Sequence, residues 1–366
     1  MTGNAPASTL KALIGSNVNC IKALLAFVVA ADHNEFFWKL FPTLFEPITF
    51  PVFGYFLLIF TFGRKIWSKE FIADRCARYL VPYWWALTAA SVAYYFMYQR
   101  HTNPAESVAA WALAAVIGNA PFVKPASGFL MLWFLPSLFG LTCLIALYNT
   151  IQTRWGQSLA VGLAVLAHLL LPLLPRLTML WIPFGLAIMA NVFILGLIWQ
   201  RLLSVRLPRY WGLVVAAIFV ASYGRLVSVP VHLEMATFEL AGINAPGTMI
   251  LQDLAGMSGV LTIVWLASLT PKFQWLEALG KNSIWIYLFH PVAYVVLGRV
   301  WIARPDDPMG PLGYWVHGCL TEFGAIGLAY LAAILMSRST FISVWIIPRS
   351  WEQWPPSRLL ANARVL

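Results

Sequence analysis

A chain of 366 residues that is 60% apolar and only 10% charged, with a mean hydropathy of +0.75, is not a soluble globular protein, where about a quarter of residues carry charge. The formal net charge of +10, from 24 Lys and Arg against 14 Asp and Glu, raises nucleic acid as a partner, but the placement of the basic residues excludes that need. The composition is that of an integral membrane protein, and backbone satisfaction in lipid makes an all-α bundle the expectation.

At about 20 apolar residues per crossing, ten spans are expected, at 18–38, 44–63, 79–98, 129–149, 157–174, 179–200, 210–227, 247–269, 282–302 and 314–336. The run 106–120 is apolar but short and reads as an interfacial or re-entrant helix. The polar first 18 residues and the long span after them give no sign of a cleavable signal peptide. One polytopic domain over residues 1–366 follows, with both termini cytoplasmic. In that topology 16 of the 24 Lys and Arg fall inside, seven fall outside, and Lys22 lies within a span, as the positive-inside rule requires. Nucleic acid is therefore not an expected partner; the lipid bilayer is.

The first span carries Lys22 and, eleven residues on, His33. At about 3.6 residues per turn this is nearly three turns, so the two share a helix face roughly 16 Å apart along the axis. Ionisable groups at such depth are costly and by default mark a functional site, although a single His in a span reads equally as a core residue hydrogen-bonded to a backbone carbonyl. Imidazole is the side chain suited to take a proton from a hydroxyl near neutral pH, which makes His33 a candidate general base. Asp32 lies about 100° around the helix from His33 and is not expected to orient it.

The most basic stretch, 64–81, places Arg75 and Arg78 at i and i+3, on one face if it is helical, at the cytoplasmic mouth of the third span. Paired guanidinium groups suit a phosphate-bearing ligand, and equally the anionic lipid headgroups that topology-setting residues contact. In the ninth span His290 stands just before Pro291, and either His290 or Ser283 is placed to satisfy the carbonyl that the proline frees. His101, His168, His232 and His317 form no constellation. Cys20, Cys76, Cys143 and Cys319 have no metal-ligand spacing and read as free thiols, with no metal expected.

Four stretches in order resemble the membrane acyltransferase 3 family. Lys22 through His33 is similar to its first-helix motif of a basic residue, ten intervening positions and His. Arg75-Cys76-Ala77-Arg78 ahead of Pro82-Tyr83-Trp84 resembles its R-x-x-R signature. Leu132-Trp133-Phe134-Leu135 resembles its W-F-L segment, and Gly280-Lys281-Asn282-Ser283 through Tyr287, His290 and Pro291 resembles its late G-x-N-S and Y-x-x-H-P segment. The chain departs from the pattern twice: Lys22 stands where the family usually has Arg, and the second span lacks the usual Ser-Gly pair around Phe50–Phe56.

The resemblance implies transfer of an acyl group, usually acetyl, from cytoplasmic acyl-CoA to a hydroxyl of a glycan or glycolipid, as in polysaccharide O-acetylation at a bacterial inner membrane. Acyl-CoA is then a co-substrate and no bound cofactor is implied. His33 would be the base, Lys22 would steady the donor, and Arg75 and Arg78 would hold CoA phosphates. Trp133, Ser283, Tyr287 and His290 would support the site. The competing expectation is a carrier of a glycan or anionic solute with His33 as proton relay; the two halves of the chain show no matching pair of broken segments to favour it.

Overall fold

A computed structural model describes residues 9–40, 50–61, 66–99, 103–128, 130–170, 186–208, 210–227, 233–234, 237–238, 245–300, 304–346, 348 and 350–356. In chain order the helices are α1 (Leu10–Asp32), α2 (Glu35–Leu40), α3 (Phe50–Thr61), α4 (Lys69–Arg75), α5 (Val81–Tyr94), α6 (Pro104–Ile117), α7 (Ala120–Ser127), α8 (Phe134–Thr150), α9 (Arg154–Leu170), α10 (Leu186–Leu202) and α11 (Trp211–Val227). They continue with α12 (Ala245–Leu269), α13 (Gln274–Lys281), α14 (Ser283–Val300) and α15 (Pro311–Arg338). A two-residue antiparallel pairing of Leu233–Glu234 with Thr237–Phe238 is the strand structure among the described residues.

The chain is an all-α membrane protein. Leu10–Asp32, Ile250–Leu269, Ser283–Val300 and Pro311–Arg338 are each long and apolar enough to cross a bilayer, and α6, α8 and most of α10 and α11 are shorter apolar helices. Large apolar side chains face outward on them, among them Val116, Val220, Val300 and Phe323. A soluble protein rarely exposes so much contiguous apolar surface; lipid is its natural solvent. Described helical residues fall within the expected spans; 44–49, 62–63, 129, 171–174, 179–185 and 301–302 of those spans lie outside the described residues. The short segment expected at 106–120 is α6, opened by Asn103, whose side chain accepts from Ala105 N, and closed by Gly118 at φ 69°.

The first span differs from its expected extent. Thr9 caps α1 by accepting from Ala12 N, and Asn17 kinks it, its Nδ2 donating to the Leu13 carbonyl at 2.9 Å. The helix then stops at Asp32 and does not run on to 38. Asn34 causes the stop: its Oδ1 accepts from Phe36 N at 3.2 Å and its Nδ2 donates to the Gly318 carbonyl at 2.8 Å, so the chain restarts as α2.

The elements gather into two compact units, residues 1–62 with 195–333 and residues 63–194 with 334–366. In the first, α1 packs against α3, α12, α13 and α14, and α11 packs along α12. Ile14, Ile21, Leu25 and Ala30 of α1 are buried there, and the buried Trp199 indole donates to Thr61 Oγ1 at 2.9 Å. The second unit packs α5 against α6 and α7. Tyr83 donates to the Ala114 carbonyl and Trp84 Nε1 to that of Ala115 at 3.0 Å, fixing α5 to the last turn of α6.

Candidate functional site

The break after α1 decides where His33 stands. It is the C-cap of the helix at φ −101°, ψ 7°, its backbone N–H donating to the Ala30 carbonyl at 2.9 Å. Its side chain, 28% exposed, stacks on His290 with ring centroids 5.4 Å apart and planes 20° apart. His290 is fully buried and its Nδ1 lies 3.1 Å from the Ile286 carbonyl. A carbonyl accepts only, so that nitrogen carries the hydrogen; Nε2, which is buried without a hydrogen-bond partner, is left with a lone pair. Pro291 frees the Tyr287 carbonyl, one residue beyond the Ile286 carbonyl that Nδ1 meets, and the His290 ring lies near both. Ser283 is buried and meets the Tyr55 hydroxyl instead.

Asp32 corrects an expectation. Its Oδ2 lies 3.9 Å from His33 Nε2, and its Oδ1 is buried without a partner. The expected separation of about 100° assumes that the helix continues through residue 33; His33 has left helical geometry, so its ring swings back toward Asp32.

Beside His33 is a cavity of about 260 Å³, lined among others by Asn34, Phe36, Tyr294, Arg304 and Thr321. The Thr321 hydroxyl is buried there without a hydrogen-bond partner. Near this rim Lys39 and Asp306 pair at 2.9 Å. Both are exposed, so the pair adds little to stability, and the Asp306 carboxylate holds the Lys39 ammonium above its ordinary pKa.

Behind the cavity the Tyr294 hydroxyl bonds to the Ala30 carbonyl oxygen at 2.9 Å and to Glu322 Oε2 at 2.5 Å, and Asn34 Nδ2 reaches the same carboxyl oxygen at 3.4 Å. Sequence reasoning passed over Asn34, Tyr294 and Glu322. One signal was present: Glu322 is the single acidic residue in the apolar run 314–336, and the rule that marks His33 marks it too.

Lys22 lies midway along α1, half-buried, with its own carbonyl accepting from Tyr55 at 2.9 Å. Among the described residues no carboxylate comes within 4.0 Å of its ammonium. Tyr287 is buried and meets both Tyr55 and His290 edge-on.

Arg75, Arg78 and Trp133 belong to the second unit. The stretch is helical, but α4 passes at Cys76 into a π-turn over Cys76–Leu80, closed by Val81 N to the Cys76 carbonyl. That turn begins between the two arginines, at Cys76. Arg75 is half-buried with its guanidinium 5.1 Å from the Phe71 ring centroid, a cation–π contact, and its Nε is enclosed without a partner. Arg78 is exposed. Trp133 is buried at the end of the 3₁₀ turn that leads into α8.

All four cysteines are free thiols, and among the described residues no three His, Cys, Asp or Glu converge as metal ligands.

The fold and this cluster define a helical membrane protein that gathers two imidazoles and two carboxyl groups at the end of its first span. A family model for an acyltransferase domain, that of the acyltransferase 3 family, matches residues 16–335, and the chain belongs to that family. It is a membrane acyltransferase in kind. No curated protein and no solved structure gives a match.

Proposed function

We propose that the protein transfers an acyl group, acetyl in the first instance, from cytoplasmic acyl-CoA to a hydroxyl of a glycan or glycolipid, with His33 as general base. The observation that carries this reading is the largely buried, partly accessible His33 imidazole on the wall of a cavity, with Asp32 beside one nitrogen and His290 against its face. A 260 Å³ space suits the sugar unit that bears the reacting hydroxyl.

In the proposed reaction the His33 imidazole takes the hydroxyl proton as the oxygen adds to the thioester carbonyl. The tetrahedral adduct collapses with cleavage of the C–S bond, and the imidazolium returns the proton to the departing thiolate. One ester forms as one thioester is lost, so the step is redox-neutral. Asp32, facing Nε2, orients the ring and stabilises its charged form. Lys22 supplies a positive charge along α1 for the anionic donor. Tyr287, Ser283 and His290 support the site from α14. Arg75 and Arg78 hold the CoA phosphates, Arg78 with an exposed fork free to bind bidentately. The setting is a multi-pass bacterial inner membrane.

Free CoA, detected with a thiol reagent, tests the reaction. Membranes holding the full chain release CoA from acetyl-CoA only when lipid-linked glycan extracted from the source cell is added. A carrier releases none under either condition, and that result overturns the proposal.

The donor role of the arginines has its own measurement. Loss of one charge-assisted hydrogen bond, at about 1.5–3 kcal/mol, means that Arg75→Gln with Arg78→Gln raises the KM for acetyl-CoA by at least about ten- to a hundredfold while the protein still inserts. An unchanged KM removes the arginines from the donor site.

A further inference from the structure

Both the backbone and the ring of His33 rest on one buried group. The Ala30 carbonyl that accepts from His33 N–H at 2.9 Å also lies 2.9 Å from the Tyr294 hydroxyl, whose other neighbour is Glu322 Oε2. The Tyr294 ring meets His290 edge-on at 5.9 Å, and His290 stacks on His33. Glu322 is 5% exposed in the middle of a 28-residue apolar helix, where a carboxyl group persists only if its partners offset the cost of burial.

The hydrogen count fixes how the group closes. A phenol has one proton to donate, and both of its neighbours here are oxygens, so only one of them accepts it. The single phenol proton is accounted for when the Glu322 carboxyl donates its O–H from Oε2 to Tyr294, and Tyr294 donates to the Ala30 carbonyl; Glu322 Oε1 is left buried without a partner. Asn34 then gives its Nδ2 hydrogens to Gly318 O and Glu322 Oε2. The ionisable groups around this array are Asp32 and His33 at the end of α1 and His290 and Tyr294 on α14.

We infer that Glu322 and Tyr294 are positioning residues: they brace the last turn of α1 and hold the His33 ring in the geometry that proton transfer needs. The inference rests on the proposed role of His33. It is tested on the full chain in membranes by two readouts: kcat and KM for acetyl-CoA, and the rate at which diethyl pyrocarbonate labels His33, followed by mass spectrometry. Misplacement of a reacting group by about 1 Å costs on the order of 10²-fold. Glu322→Ala and Tyr294→Phe therefore lower kcat by about that factor, leave KM for acetyl-CoA unchanged, and speed the labelling of His33 as its packing loosens. Glu322→Gln keeps both readouts near wild type, because its amide N–H replaces the carboxyl O–H toward Tyr294; it gives up only the long 3.4 Å contact from Asn34, whose Nδ2 keeps the Gly318 carbonyl at 2.8 Å. Tyr294→Phe removes a single oxygen and carries the test should Glu322→Ala fail to insert. Unchanged kcat and labelling in Tyr294→Phe, or a Glu322→Gln variant as impaired as Glu322→Ala, overturns the inference. A wild-type protein without acetyl-CoA turnover overturns the proposed reaction instead, and the labelling comparison then decides the brace by itself.

Discussion

His33→Ala lowers the rate of acyl transfer by about 10²- to 10⁴-fold, the range that a positioned general base contributes, while the protein still inserts and folds. The fold survives because His33 holds the end of α1 through its backbone N–H to Ala30, which alanine keeps. What is lost from packing is one ring stacked on His290, worth about 0.5–1.5 kcal/mol. A variant that inserts normally and turns over at background, measured as CoA released per molecule of inserted protein, separates chemistry from stability. Wild-type turnover in that variant takes the base role from His33.

Gly280→Ala strikes stability instead. A Cβ at Gly280 would stand 1.8 Å from the Asn19 carbonyl oxygen and 2.4 Å from its carbon. Both sides of that contact are helix backbone, α13 against α1, so no side chain can rotate out of the way. The helices must separate, opening the packing around the buried Ile21, Leu276 and Leu279. Overpacking of a filled core costs about 1–3 kcal/mol, and a rigid backbone contact places this substitution at or above the top of that range. Thermal unfolding of the detergent-solubilised chain checks it: the midpoint falls clearly below wild type, whereas an unchanged midpoint shows that α13 and α1 do not approach so closely.

The contact also explains the residues that carry the family pattern late in the chain. Gly280 lets α13 touch α1. Asn282, whose Nδ2 donates to the Ala278 carbonyl at 2.9 Å, ends α13 so that α14 can begin at Ser283. The motif is in large part a packing and helix-ending device, with His290 one stack away from His33.

Composition and the length of the apolar runs were enough to read an all-α membrane chain, because hydropathy acts residue by residue and needs no partner. The same holds for Lys22 and His33, each conspicuous as an ionisable group in apolar surroundings. Features set by distant partners were not legible. Asn34 breaks the first span by bonding to Gly318, 284 residues away, and Glu322 joins it from a separation of 288. Asp32 was misplaced by arithmetic that is sound within a helix and fails one residue past its end. The π-turn that begins between Arg75 and Arg78 has no periodicity of its own in the sequence, and it touches α8, far along the chain.

The measurement that bears most directly on the central claim follows the acyl group itself. Membranes with the wild-type chain or with His33→Ala receive acetyl-CoA labelled in the acetyl group, and the glycan fraction is analysed by mass spectrometry for base-labile label. The account predicts label on glycan hydroxyls with the wild type and background label with the variant. Label that stays on CoA in both, or that reaches the glycan equally in both, contradicts it.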